Sequence, residues 1–305
     1  MKFVVTGGAG FIGSNLVDQL VTKENDVHVI DNFITGKQEN CNHHAQYHNL
    51  DIADKDNLNK INKVIDGARA IFHCAALARV QPSMNDPVKY EINNTIGLMN
   101  MLKSSVDMKV GRFIYSASSS AYGSTKKLPS KESDPPNPIS PYANQKYYGE
   151  LCCKMFSEIY DIETISLRYF NVYGERQNLG GAYATVVGIF LDQFIKGQAL
   201  TINGNGNQRR DFTYVGDVVK ANILAETSRN VGKGEVINIG YGKNISINEL
   251  AELIGGEVIF NEALNEPFAN LADIEKAKKL LGWEPTKSIE SWIDEFKNKK
   301  GLISS

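Results

Sequence analysis

The stretch "KFVVTGGAGFIGSNLVDQL", residues 2–20, constrains the fold more than any other. A short apolar β run enters a glycine turn, and an apolar pattern of helical period follows, with Ile12, Leu16 and Leu20 on one face. Gly7, Gly10 and Gly13 are spaced G-x-x-G-x-x-G. Such a turn lets the backbone approach a pyrophosphate closely, and the helix behind it offers unpaired N–H groups and the positive end of its dipole. The next apolar run, "VHVID", ends at Asp31, 18 residues beyond Gly13, where an acid can accept hydrogen bonds from an adenosine ribose. Its charge repels a 2′-phosphate and no arginine follows it, which favours NAD over NADP.

Further strands are expected at 70–76 ("AIFHCAA") and 112–118 ("RFIYSAS"), with helical stretches near 56–66 and 88–106. Strands alternating with helices imply an α/β fold: a Rossmann-type, doubly wound parallel sheet whose ligands sit at the strands' carboxyl ends. Ser118 falls at such an end, as does the segment after Ala76. A NAD-binding domain is expected over 1–168, with segments near 213–240 returning to it. A smaller C-terminal α/β substrate domain is expected over 169–305, with a helix across "GAYATVVGIFLDQFIKG".

In "SPYANQKYYGE", Ser140 suits a helix cap and Pro141 the first helical position. Tyr142 and Lys146 then lie one above the other on one helix face. A nearby ammonium favours a phenolate, so the pair could take a proton from an alcohol. Tyr122 and Lys126 share that spacing, but the intervening Gly-Ser-Thr reads as a turn that fixes no common direction.

With 33 basic and 35 acidic residues the chain carries a formal charge of −2, which gives no reason to expect a nucleic-acid or acidic-membrane partner. No stretch is long enough to span a bilayer and no signal-peptide layout is present, so a cytoplasmic location is expected. Cys41, Cys74, Cys152 and Cys153 form no zinc-ligand spacing. "NHHAQYH", holding His43, His44 and His48, is expected to be a solvated loop, and no metal is expected.

The segments "TGGAGFIGSN", "HCAA", "SASSSAYG", "PNPISPYANQK", "RYFNVYG" and "GNGNQRRDFTYVGDV" occur in this order between residues 6 and 218, with weaker similarity to "LGWEP" at 281–285. In these the chain resembles the extended short-chain dehydrogenase/reductases, and within them the nucleotide-sugar 4-epimerases. The resemblance implies Tyr142 as general base, Lys146 holding the nicotinamide ribose and lowering the tyrosine pKa, and Ser118 bonding the reacting hydroxyl. It implies a NAD site of Gly7, Gly10, Phe11, Ile12, Gly13, Asp31, Asn32, Asp51, Ile52, Ala75, Ala76, Asn94, Tyr142 and Lys146. It implies a UDP-sugar site of Arg79, Ser118, Ser119, Asn171, Ala184, Val186, Arg210 and Asn270, and a homodimer built from the helices near 88–106 and 141–160.

The implied reaction inverts C4 of a UDP-sugar through a transient 4-keto sugar. Related dehydratases carry an acid pair, and the decarboxylase a glutamate, where this chain has Ser119 and Ser120. A non-catalytic NAD sensor would be expected to lose the tyrosine or the lysine. One departure concerns the nucleotide end: Ala263 stands where many relatives have a phosphate-binding arginine and Glu266 where they have a ribose-binding aspartate, with Arg209 or Arg79 as substitutes. Asn270 stands where some relatives have a tyrosine beside the sugar C2 substituent. The smaller asparagine implies room for an N-acetyl group, hence UDP-GlcNAc/UDP-GalNAc, with UDP-Glc/UDP-Gal as a further pair.

Overall fold

The computed structural model describes residues 1–301 apart from 126, 182 and 265. Seven parallel strands form its central sheet: β1 (Lys2–Thr6), β2 (Asp26–Asp31), β3 (Gln46–Asn49), β4 (Ala70–His73), β5 (Arg112–Ser118), β6 (Glu163–Tyr169) and β7 (Lys233–Ile239). Their spatial order is β7-β6-β5-β4-β1-β2-β3, so the direction of winding reverses beside β1 and opens a crevice at the carboxyl ends.

The strands read as nearly continuous apolar runs because both faces of the sheet are covered. Phe3, Val5, Phe72 and Ile114 pack with Leu16 and Val218 on one side. Val4, Ile71 and Phe113 pack with Ile61, Leu98 and Cys153 on the other. The period of two thus assigns alternate residues to two separate helix layers. β7 reaches the sheet late, pairing Val236, Ile237 and Asn238 with Ser166, Leu167 and Arg168 of β6.

Between and after these strands a smaller lobe gathers its own core of Tyr173, Phe190, Leu200, Ile202, Phe212, Leu250 and Trp292. The helix expected across 181–197 spans only Val186–Ile195, because Thr185 caps it by accepting from the Gly188 N–H at 3.1 Å. His48 lies in β3 and not in a loop: parallel pairing with β2 extends that segment and puts its Nε2 3.0 Å from His28 Nδ1. The expected strand over 70–76 stops at His73, and the stretch 88–106 contains a π-turn over Ile92–Ile96.

Candidate active site

The glycine turn sits between β1 and the helix Phe11–Val21. Gly7 has φ 71°, and a Cβ there would lie 2.7 Å from the Ala75 nitrogen, so no other residue fits under the neighbouring strand's exit. A Cβ on Gly13 would collide with the Gly7 carbonyl and lie 2.9 Å from Gly8 Cα, so that glycine permits helix and turn to touch. The helix has Gly10 at its N-cap, no side-chain cap and no acid in its first turn. Its free N–H groups open onto a continuous cleft of about 930 Å³ lined by Gly10, Phe11, Ile12 and Gly13, a fit for a dinucleotide pyrophosphate.

At one end of this cleft Asp31 is only 8% exposed, and each carboxylate oxygen accepts one backbone bond, from Ala9 N at 2.9 Å and Phe33 N at 2.8 Å. The remaining lone pairs are available to ribose hydroxyls. Asn32 donates to Asp51 Oδ2 at 3.1 Å, and Asp51 and Ile52 line the same end. Lys37, absent from the expected set, also lines it and pairs with Glu39 at 3.4 Å.

At the centre, Ser118 ends β5, and the helix Pro141–Tyr160 presents Tyr142 and Lys146 to the cleft. Ser140 caps this helix by accepting from Ala143 N at 3.1 Å, and Asp161 ends it in the left-handed conformation at φ 56°. Burial raises the Tyr142 phenol pKa, against which a hydrogen bond with Ser118 and the charge of Arg79 favour the phenolate. Burial pulls the Lys146 ammonium down to about 8. Lys146 donates to the Ser116 carbonyl at 2.7 Å and lies over the Tyr115 ring.

Ala75 and Ala76 line the cleft beside the glycine turn, whereas Asn94 lies behind its wall, 3% exposed. Asn94 accepts from Leu77 N at 2.8 Å and donates to Leu77 O and to Gln145 Oε1, both at 3.0 Å. It fixes the wall from the π-turn and is not itself among the residues that line the cleft. Tyr122 is a different kind of residue from Tyr142. It is 3% exposed, its hydroxyl donates to Asn238 Oδ1 at 2.7 Å, and Arg168 stacks on its ring. Lys126 lies outside the described residues.

The far end gathers Asn171, Ala184, Val186, Arg210 and Asn270, with Ser119 between it and the centre. Asn171 donates to Asp211 O at 2.8 Å and to Asn270 Oδ1 at 3.1 Å; Asn270 Oδ1 also accepts from Asp211 N at 2.8 Å. Two donors on one oxygen set the amide's orientation and leave its Nδ2 free to donate. Arg210 pairs with Glu266 at 3.0 Å. Arg209 turns away to Asn244 at 3.0 Å and Glu249 at 3.2 Å because its strand pairs antiparallel with Asn244–Ser246, whereas Arg79 does line the cleft. Arg176 and Tyr183 line it too and were not anticipated. Arg176 stands two residues beyond the "RYFNVYG" segment, in the same turn.

A doubly wound parallel sheet, an uncapped glycine turn and a cleft lined by Ser118, Tyr142 and Lys146 are the features of the short-chain dehydrogenase type. The model of the NAD-dependent epimerase/dehydratase family matches residues 3–240, and the chain belongs to that family. Among solved structures it is similar to a UDP-glucose 4-epimerase of Thermotoga maritima bound to UDP-glucose, with 37% identity, a TM-score of 0.93 and coverage of 98% of this chain and 99% of that one. It is also similar to a UDP-N-acetylglucosamine 4-epimerase of Methanobrevibacter ruminantium in complex with UDP-N-acetylmuramic acid, with 34% identity, a TM-score of 0.89 and 98% of both chains covered. A UDP-glucuronic acid decarboxylase of Xenopus tropicalis is 34% identical over 306 residues, covering 96% of this chain and 70% of that protein.

Proposed function

We propose that the protein is a NAD-dependent UDP-sugar 4-epimerase acting on UDP-GlcNAc/UDP-GalNAc, with UDP-Glc/UDP-Gal as a second pair. The observation that carries this is that Ser118, Tyr142 and Lys146 line the same cleft as the glycine turn, Arg210 and Asn270. NAD supplies reversible hydride acceptance at C4. Tyr142 takes the O4 proton, Ser118 holds that hydroxyl in line, and Lys146 binds the ribose next to it. After the keto sugar turns over, the hydride would return to the opposite face of C4 while Tyr142 gives its proton back to O4, so no net redox change results.

Among the described residues lining the cleft, the carboxylates are Asp31, Asp51 and Glu266, at its two ends. None flanks Tyr142, where Ser119 and Ser120 stand and Ser120 donates to Ser118 Oγ at 2.9 Å. Elimination across C5 and C6, or decarboxylation assisted by an acid, has no group to serve it there, which favours simple epimerisation. Asn270 supports the N-acetylated pair by its small size and its free Nδ2 donor, which suits an acetamido carbonyl oxygen. The homodimer is proposed on an exposed apolar stripe of Tyr148, Leu151, Met155 and Ile159, beside exposed Val88, Ile92 and Ile96.

The test compares kcat/KM for both substrate pairs in the wild type and Asn270→Tyr. The tyrosine removes an oxygen that serves two donors, so both activities fall. Overfilling beside C2 adds a loss of about 1–3 kcal/mol for the N-acetylated pair alone. An unchanged ratio, or a wild type inert toward N-acetyl sugars, rejects the assignment.

A further inference from the structure

Asp211 is a buried acid that takes no part in the proposed chemistry. It is 0% exposed, and its backbone holds two amides that line the far end of the cleft: its N–H donates to Asn270 Oδ1 at 2.8 Å and its carbonyl accepts from Asn171 Nδ2 at 2.8 Å. The side chain pins further segments. Oδ1 accepts from Tyr241 N at 2.7 Å, and Oδ2 accepts from Gly242 N at 3.1 Å and Ala272 N at 3.0 Å. The strand Arg209–Asp211, the turn after β7 and the segment that runs on from Asn270 therefore converge on one carboxylate.

Both oxygens face N–H donors, and only an ionised carboxylate is an acceptor on both. Protonation puts an O–H on one of them, donor against donor, and an asparagine amide does the same with its NH₂. The charged groups on the elements around it are engaged elsewhere: Arg209 with Asn244 and Glu249, Arg210 with Glu266, and Asp273 with Lys131 at 3.8 Å. Tyr241 and Lys243 are the remaining titratable residues of the turn after β7. Gly240 lets that turn close over the acid, since a Cβ there would lie 3.0 Å from Oδ2. Burial raises the Asp211 pKa to about 6, against the three N–H bonds that lower it.

We propose that Asp211 is a positioning residue for the sugar: its ionised carboxylate ties the segments of Asn171 and Asn270 into the geometry that holds the substrate, and protonating it releases them. This rests on the reading of Asn270 as a residue beside the sugar. The tie acts at short range, because Ala272 is two residues beyond Asn270 and the peptide groups of Asp211 itself bind both amides. Loss of the Ala272 bond frees the Asn270 segment on one side while the Asn171 bond to Asp211 O stays in place, so the two amides shift relative to one another.

The experiment follows two signals of the protein as purified, with NAD content matched. The first needs no substrate: in heteronuclear NMR spectra the backbone amides of Tyr241, Gly242 and Ala272 and the side-chain amide of Asn270 are expected to shift together, with one midpoint at a pH of about 6. The second is turnover of UDP-GlcNAc and UDP-Glc, whose kcat/KM is expected to fall about tenfold per pH unit below that midpoint, through KM more than kcat. Asp211→Asn is expected to show at neutral pH a KM raised on the order of tenfold, with no further change on acidification. Amides that move separately or not at all overturn the proposal, and so does a folded Asp211→Asn with the wild-type KM. The NMR signal decides the question should that variant fail to fold. Amides that titrate together in a protein inert toward both sugars support the carboxylate tie and reject the sugar reading instead.

Discussion

Removing one hydroxyl from each of the two tyrosines that precede a lysine by four residues separates chemistry from architecture. The Tyr122 hydroxyl is buried, its pKa pushed up to about 12 chiefly by burial, and it is a donor to an Asn238 that is 0% exposed. Tyr122→Phe leaves the Asn238 oxygen without that donor, a loss of about 1–3 kcal/mol. With an unfolding entropy of about 2.1 cal/mol/K per residue, the thermal midpoint falls by about 2–5 °C. The Tyr142 hydroxyl faces the cleft and no fold-spanning bond depends on it, so Tyr142→Phe changes stability by less than about 0.5 kcal/mol. Its turnover with a UDP-sugar falls on the order of 10²- to 10⁴-fold while NAD stays bound. The assay pairs a calorimetric scan with turnover and cofactor content on both variants. Comparable activity losses would refute the division of roles, as would a Tyr142→Phe protein several degrees less stable than wild type.

Gly13→Ala forces the turn open against the Gly7 carbonyl, and the purified variant should carry much less NAD than wild type; equal content would remove the close-packing argument. Lys146 has a folded pKa of about 8 against roughly 10.4 unfolded, so the unfolded chain binds the extra proton between those values and this group adds stability as pH rises across that window. Denaturant midpoints at several pH values should show Lys146→Met losing that rise; parallel curves would contradict it. Leu151→Glu places a charge in the exposed stripe of the helix Pro141–Tyr160, and sedimentation should show a monomer where the wild type is a dimer. A wild-type monomer at micromolar concentration ends that proposal.

What the sequence disclosed follows the range of the interactions involved. The glycine turn, the Ser140 cap and the shared face of Tyr142 and Lys146 are set by neighbours within one turn of chain, and periodicity reads them. The role of Tyr122 depends on Asn238, far along the sequence, so spacing alone could identify it only as a decoy and not as a structural anchor. Arg79 carries no local signal for its positive φ of 91°, since the preceding Leu77 and Ala78 are held by Asn94 and Tyr90 from further along the chain. The Asn171–Asp211–Asn270 knot and the Arg210–Glu266 pair likewise join segments that only the fold brings together. His48 gives no strand signal because a short edge strand rich in polar residues has no apolar alternation to reveal it.

The late arrival of β7 bears on how the chain is made and how it can be rearranged. During synthesis β6 leaves the ribosome with the whole segment up to Gly232 still to come before its partner exists. Until then the outer edge of β6 is an unpaired strand edge carrying Ile165 and Leu167, the sort of template on which nascent chains pair with one another. The same threading defeats a single-cut exchange of substrate lobes between relatives: a crossover after residue 168 also replaces Ile237 and Ile239, which belong to the sheet core of the retained half. A working chimera needs two crossovers, one on either side of the inserted lobe, with β6 and β7 taken from the same parent.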